Sequence, residues 1–296
     1  MQKKQSFFDA IGANKRNSII LMLLLTFLIF VVLFAFSQFM GMGETGLVLG
    51  IIISVLYMGI MYFAGDRMLL ALSGAKPVSK QDYPYLYNLV EGLALSAQIP
   101  KPKLYMTNDA AMNAYATGRD PKHAAIVVTK GLVEGMNRQE LEGVIAHEMS
   151  HIGNYDIRYM LITVVVVGLI GFLSEIMLRS FFWGGIRGGR RGGGASWILL
   201  LAIVISILTP IIAMLIRLAI SREREYLADA TAVKLTRYPD GLKNALVKIK
   251  NNYQPTKSAT ETTAPLYFAD PIGKHLAGVF STHPPIDERI KRLSSF

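Results

Sequence analysis

The chain has 296 residues, of which 52% are hydrophobic, and its net charge is +10. Its mean hydropathy of +0.36 is too high for an ordinary soluble domain and predicts membrane-spanning segments. Segments that bind nucleic acid typically combine basic residues with interleaved aromatic ones in a tail. The basic residues of this chain do not follow that pattern, so we exclude nucleic acid as a partner. The absence of cysteine excludes Cys-ligated zinc and cysteine proteases.

Two uncharged runs lie near the N-terminus, Ile19–Phe36 and Gly46–Gly65. Each is long enough to cross about 30 Å of hydrocarbon, and no small-residue cleavage site follows the first, so we expect two uncleaved spans. Basic residues precede the first run, which predicts a cytoplasmic N-terminus. These residues are Lys3, Lys4, Lys15 and Arg16. Two crossings then place residues 66–158 in the cytoplasm as well.

The segment HEMSH, His147–His151, carries the strongest chemical signal in the chain. Histidines four apart on a helix share one face and can bind the same zinc ion. Glu148 then lies beside the metal, where a general base can take a proton from a bound water. An accidental pair of histidines is the alternative, but the chain has only five, so we favour a zinc hydrolase.

Two further apolar runs follow, Met160–Leu178 and Trp197–Ile216, and we expect both to be membrane segments. If both span, the loop between them lies outside, yet it is rich in arginine, against the usual charge bias. The sequence leaves open whether this hairpin crosses fully. Its stretch GGIRGGRRGGG, Gly184–Gly194, is interpreted as a linker, with contact to anionic lipid head groups as the alternative.

A catalytic zinc needs a third protein ligand. In SREREYLAD, Ser221–Asp229, the side chains of Glu225 and Asp229 are four apart and share a helical face. Glu225 is a candidate zinc ligand, and Asp229 is a candidate to hydrogen-bond the outer nitrogen of a ligating imidazole. A solvated helix that pairs these carboxylates with neighbouring arginines is equally compatible with the spacing.

The order of HEMSH, two apolar segments, SREREYLAD and STHPPIDER (Ser281–Arg289) resembles the HtpX family of integral membrane zinc metalloproteases. That family is kin to the CAAX prenyl proteases. The resemblance extends over nearly the whole chain, including the NAYATG segment, Asn113–Gly118. It implies one Zn²⁺ per chain, bound by the two HEMSH histidines and Glu225, with Glu148 as the base and Asp229 beside a ligand.

The resemblance also suggests roles for four residues that spacing alone would leave unassigned. His283 is a candidate catalytic donor to the oxyanion, and Arg289 is a candidate to orient it or to bind the substrate backbone. Asn113 and Ala114 resemble an Asn-Ala pair that holds the substrate backbone in related proteases. Ala125–Thr129 is predicted to be a short strand, and an edge strand over the zinc could bind an extended substrate; a core hairpin is the alternative.

The remaining histidines, His123 and His275, have no partner at metal-binding spacing and are interpreted as structural or solvent-facing. The predicted fold is mainly α with a small β-sheet: a four-segment membrane helical protein that carries a cytoplasmic gluzincin-like zinc metalloprotease domain. The predicted regions follow in chain order. They are 1–65 with the tail and two spans, 66–158 with HEMSH, 159–217 with two further apolar segments, and 218–296 with SREREYLAD and STHPP.

The expected function is a membrane-bound zinc endopeptidase that hydrolyses misfolded or damaged membrane proteins. The resemblance implies a multi-pass protein of the bacterial inner membrane, in protein quality control and the stress response, with the active site facing the cytoplasm. Its expected partners are unfolded polypeptides and the lipid bilayer. Two other functions remain open: a prenyl-protein protease, and a membrane scaffold whose metal site has no catalytic role.

Overall fold

The structure is a computed structural model that describes residues 7–39, 43–165, 222–260, 263–272 and 284–296. Most of the third predicted membrane segment and the whole of the fourth lie outside these residues, as does the linker between them. His275 and His283 lie outside them as well. The four-segment topology therefore stays a prediction.

Two long helices begin the chain, α1 (Phe7–Phe39) and α2 (Gly43–Leu72). They pack against each other where Gly50 of α2 lies close to Leu33 and Phe30 of α1. Large apolar side chains are exposed along both helices. Among the described residues, α2 is the single helix that is long and apolar enough to cross a membrane. Its 30 residues would extend over about 45 Å, more than a hydrocarbon core requires.

A small mixed sheet follows α2. Its strands are β1 (Lys76–Pro77), β2 (Lys103–Thr107), β3 (Ala114–Gly118) and β4 (Ala124–Thr129), and α3 (Pro84–Ser96) connects β1 to β2. The sheet order is β1-β2-β4-β3, and β2 and β4 are parallel while the other pairs are antiparallel. The predicted strand is thus confirmed as β4, which lies inside the sheet. The edge strands are β1 and β3, and β3 is formed by residues of the NAYATG segment.

The connection from β3 to β4 requires a glycine. Gly118 has φ +139°, and a Cβ there would lie 2.4 Å from the carbonyl oxygen of His123. The turn that follows is closed by Asp120, whose carboxylate accepts hydrogen bonds from two backbone amides. This tight hairpin sets the register in which Ala116 faces Ile126.

The remaining α-helices of the described chain follow the sheet in sequence. They are α4 (Lys130–Gly135), α5 (Arg138–Gly153), a helical segment at 156–165, α6 (Arg222–Thr236), α7 (Pro239–Asn251) and α8 (Ile286–Leu293). Helix α5 begins with a capping box, in which Asn137 and Glu140 each accept a hydrogen bond from the other's backbone amide. It packs against β3, α6 and α7, so its apolar side chains lie at the centre of the core.

The close contact between α5 and α7 fixes the position of α5. A Cβ at Gly143 would lie 2.6 Å from the backbone nitrogen of Leu242, so the two helices approach as closely as their backbones allow. Side chains from residues 86–157 and from residues 232–293 belong to the same hydrophobic core. The two regions that the sequence predicts to be catalytic therefore form one packed unit in the described chain.

Candidate active site

The two HEMSH histidines lie one turn apart on α5 and face the same point. His147 and His151 are buried, and their Nε2 atoms are 3.1 Å apart. The rings meet edge to face with centroids 4.7 Å apart. Each Nε2 is thereby available for a shared ion, while each Nδ1 points outwards to a carboxylate. This is the arrangement predicted from the spacing.

Helix α6 brings Glu225 to the same point. One of its carboxylate oxygens is 3.6 Å from Nε2 of His147, and the other is 3.6 Å from Nε2 of His151. The three ligand atoms lie within 4.8 Å of one another, and all three residues are buried. Zinc bonds of about 2.0 to 2.1 Å at tetrahedral angles would separate two ligand atoms by about 3.3 to 3.4 Å. Two nitrogens 3.1 Å apart, each 3.6 Å from one oxygen of the same carboxylate, fit such an ion.

Asp229, one turn after Glu225, contacts the outer face of His147. Its Oδ1 lies 3.0 Å from Nδ1 of that ring. Arg289 of α8 holds the same carboxylate through two hydrogen bonds, Nε to Oδ2 at 2.9 Å and Nη2 to Oδ1 at 2.7 Å. Burial alone would raise the pKa of Asp229, but the Arg289 charge and the His147 contact lower it on balance. Asp229 is therefore ionised and positioned to fix the orientation of the ring.

The equivalent partner of His151 is Asp156, which the sequence analysis missed. Its Oδ2 lies 3.1 Å from Nδ1 of His151, and only 1% of Asp156 is exposed. The chain reverses after α5 because Tyr155 adopts a left-handed conformation with φ +62°, which returns Asp156 towards the helix it has just left. No helical spacing relates Asp156 to His151, since the turn lies between them.

These carboxylates change the proton affinity of the site. Burial would lower the pKa of His151, but the Asp156 hydrogen bond and the negative charge of Glu225 raise it to about 9. An ion that binds at Nε2 must therefore displace a proton at neutral pH. Burial also raises the pKa of Glu148, and Glu225 adds to this while the histidines oppose it. A raised pKa suits a carboxylate that must accept and return a proton.

Asn113 and Ala114 lie where β3 begins, and both are buried. The Asn113 amide donates to the carbonyl oxygen of Ala269 at 3.0 Å, and its Oδ1 accepts from the Ala269 amide at 3.2 Å. The Ala114 carbonyl accepts from the Phe268 amide at 2.8 Å. The groups that the resemblance assigns to substrate binding are thus engaged by the chain's own segment.

Arg289 is buried, with only 2% of it exposed, and its guanidinium contacts Asp229 and the carbonyl oxygen of Phe268. Its predicted role, to orient His283 or to bind the substrate backbone, stays a prediction. The proposed partner His283 lies outside the described residues. His123 is half exposed and bonds to Asp120 through Nδ1 at 2.8 Å, which agrees with its interpretation as a surface residue.

Comparison with known proteins identifies the family. Residues 80–296 match the family described as Peptidase family M48. The chain belongs to this family. It is 44% identical over 291 residues to the protease HtpX homolog of Dictyoglomus thermophilum, covering 98% of this chain and 95% of that one. A Listeria monocytogenes serotype 4b protease HtpX homolog is 41% identical over 303 residues, covering 97% and 99% of the two chains.

The fold also has a relative among solved structures. The crystal structure of S. mikatae Ste24p aligns with a TM-score of 0.50 at 21% identity, covering 95% of this M48 chain and 66% of that chain. This likeness shows a shared fold and nothing more. Together, the family match and the HtpX relatives confirm the resemblance read from the four motifs, and they identify the chain as a metallopeptidase.

Proposed function

We propose that this M48 chain is a zinc-dependent endopeptidase of the bacterial inner membrane whose active site faces the cytoplasm. The buried His147, His151 and Glu225 cluster carries this proposal, since its donor atoms have the spacing of a three-ligand zinc site. Three protein ligands leave a coordination position for water, as in catalytic zinc sites. A bound zinc would supply a water of lowered pKa and would polarise the scissile carbonyl.

Glu148 moves the proton. It follows His147 directly on α5 and is 99% buried beside the three ligands, so it is adjacent to the position where a water would bind. We assign it to accept a proton from the attacking water and to pass that proton to the leaving amine. Its raised pKa makes it a stronger proton acceptor in the first step.

The carboxylates behind the histidines keep the ligands oriented. Asp229 and Asp156 each accept from one Nδ1–H, so each ring keeps a proton on its outer nitrogen and turns Nε2 towards the metal position. Arg289 neutralises Asp229 and is itself buried. His283 is retained as the proposed donor to the oxyanion, on the strength of the STHPP motif alone.

The proposed membrane location has two sources of support. The α2 helix is long and apolar, with large apolar side chains exposed along it, and water would be a costly environment for them. The basic residues before the first apolar run favour a cytoplasmic N-terminus and hence a cytoplasmic metal site. A protease fixed at this surface would act on unfolded segments of misfolded or damaged membrane proteins, which is the quality-control and stress role that the HtpX resemblance implies.

The proposal is tested with the detergent-purified chain and an unfolded polypeptide such as β-casein. Glu225→Ala is expected to lose both zinc and cleavage, because two imidazoles alone hold the ion weakly. Glu223→Ala, on the same helix and exposed, is the matched control and should retain both. Zinc content by atomic absorption and casein cleavage on a gel are measured on the same samples. Equal zinc content and equal cleavage in the two variants would contradict the assignment of the site.

A further inference from the structure

The edge of β3 that faces away from β4 is paired with a short segment of the same chain, Leu266–Ala269. Tyr267 forms an antiparallel bridge with Tyr115 of β3. The Phe268 amide donates to the Ala114 carbonyl oxygen at 2.8 Å. An additional strand is therefore already paired with β3 where that strand begins.

The contacts of this segment are those an extended substrate would need. Ala269 uses both of its backbone groups on Asn113: its amide donates to Oδ1 at 3.2 Å, and its carbonyl accepts from Nδ2 at 3.0 Å. Main-chain pairing of this kind binds a peptide with little demand on its sequence. One sheet edge can pair with one strand at a time, so an incoming peptide and this segment compete for the same groups.

The segment also reaches the metal ligands. The Phe268 ring packs edge-on against His147 with centroids 5.0 Å apart, and its carbonyl oxygen accepts from Nη1 of Arg289 at 3.1 Å. Phe268 is 1% exposed and Tyr267 is 2% exposed, so the segment is packed into the protein beside the ligand cluster. A peptide bound to β3 at this position would have to replace Phe268 beside His147.

We propose that Leu266–Ala269 is an internal competitor strand that keeps the peptidase latent, and that a polypeptide binds along β3 only after this strand withdraws. The inference rests on the proposed function, because it takes β3 as the substrate-binding edge. A peptidase that binds extended peptides whatever their sequence could cleave proteins that the cell needs. A competitor strand on β3 would limit such cleavage. It also gives a role to the bonds that the Asn113 amide and the Ala114 carbonyl make with this segment.

The Tyr115 and Tyr267 pair offers a direct test. The hydrogen bond from Phe268 to Ala114 places this pair between bonding positions, where facing side chains of antiparallel strands are closest. The chain has no cysteine, so the double variant Tyr115→Cys and Tyr267→Cys would form a single defined disulfide. Oxidation would hold the strand on β3, and reduction would release it within the same molecules.

Binding is measured in the Glu148→Gln background by fluorescence anisotropy of fluorescein-labelled β-casein. We expect the oxidised form to bind at least about tenfold more weakly than the reduced form, because only the fraction with a free β3 edge is competent. Zinc content should be the same in both forms, which excludes a loss of the site. The Tyr267→Cys single variant is the control and should be unaffected by oxidation. Equal affinity in the two forms, whether binding is measurable or absent, would overturn the proposal.

Two further measurements separate this inference from the proposed function. With Glu148 intact, the double variant should cleave casein when reduced and not when oxidised. If neither form nor the parent chain cleaves casein, the proposed function fails, while the binding measurement still decides the inference. A synthetic peptide with the sequence of residues 264–270 should compete with labelled casein, and the same peptide with an N-methylated phenylalanine should compete at least about tenfold less well, because it lacks the amide that bonds to Ala114.

Discussion

Disruption of the buried ion pair between Asp229 and Arg289 should be costly to the stability of the protein. Both side chains are buried, at 5% and 2% exposed, and two hydrogen bonds of 2.9 Å and 2.7 Å join them. The substitution Asp229→Asn keeps the size of the side chain but removes its charge, which leaves the buried Arg289 guanidinium with Glu225, at 3.6 Å, as its nearest remaining carboxylate. Removal of one partner of a buried pair costs about 3 to 5 kcal/mol.

The matched control is Asp287→Asn on α8. Asp287 also pairs with a cation, Lys250, but its side chain is 69% exposed, so the loss should be under about 1 kcal/mol. Unfolding of the metal-free proteins by urea in detergent, followed by circular dichroism, measures both free energies. The double variant Asp229→Asn and Arg289→Met should be more stable than Asp229→Asn alone, since no buried guanidinium remains that has lost its closest carboxylate. If the two asparagine variants lose equal stability, this explanation of the pair is wrong.

Three other results are expected. Gly143→Ala should lower the free energy of unfolding by about 1 to 3 kcal/mol, because its Cβ would lie 2.6 Å from the Leu242 nitrogen. Gly153→Ala on the same helix is the control and should not lower it, because the nearest atom to its Cβ would be 3.9 Å away. Asp156→Ala should weaken zinc binding about 10- to 100-fold in a competition titration with a chelator, since it removes the partner of the His151 ring. Zinc binding at pH 7 should release a proton, measurable as a dependence of the binding enthalpy on the buffer, because the pKa of His151 is raised to about 9; a buffer-independent enthalpy would contradict this.

The parts of the site that a single helix carries were predictable from the sequence. The i and i+4 spacing places His147 beside His151, and Glu225 beside Asp229, whatever the tertiary structure. The resemblance to HtpX supplied what spacing could not, namely that the two helices meet. The strand at β4 was likewise visible as a run of β-branched residues between turn signals.

The contacts that depend on tertiary packing were not predictable. Asp156 reaches His151 only through the left-handed turn at Tyr155, and no periodicity marks such a reversal. Arg289 lies in a strongly charged helix and would be expected at the surface, but its face of α8 packs on the core, so it is buried beside Asp229. The pairing of Phe268 with β3 joins residues 154 positions apart and follows from no local pattern.

The most direct test of the zinc peptidase account compares two substitutions on α5. Glu148→Gln keeps the size of the side chain but removes the proposed base, while Glu142→Gln makes the same change six residues earlier, away from the metal ligands. Zinc content and casein cleavage are measured for both variants and for the parent chain. The account predicts that Glu148→Gln retains zinc and loses cleavage, while Glu142→Gln retains both. Cleavage by the zinc-loaded Glu148→Gln variant at the parent rate would contradict it.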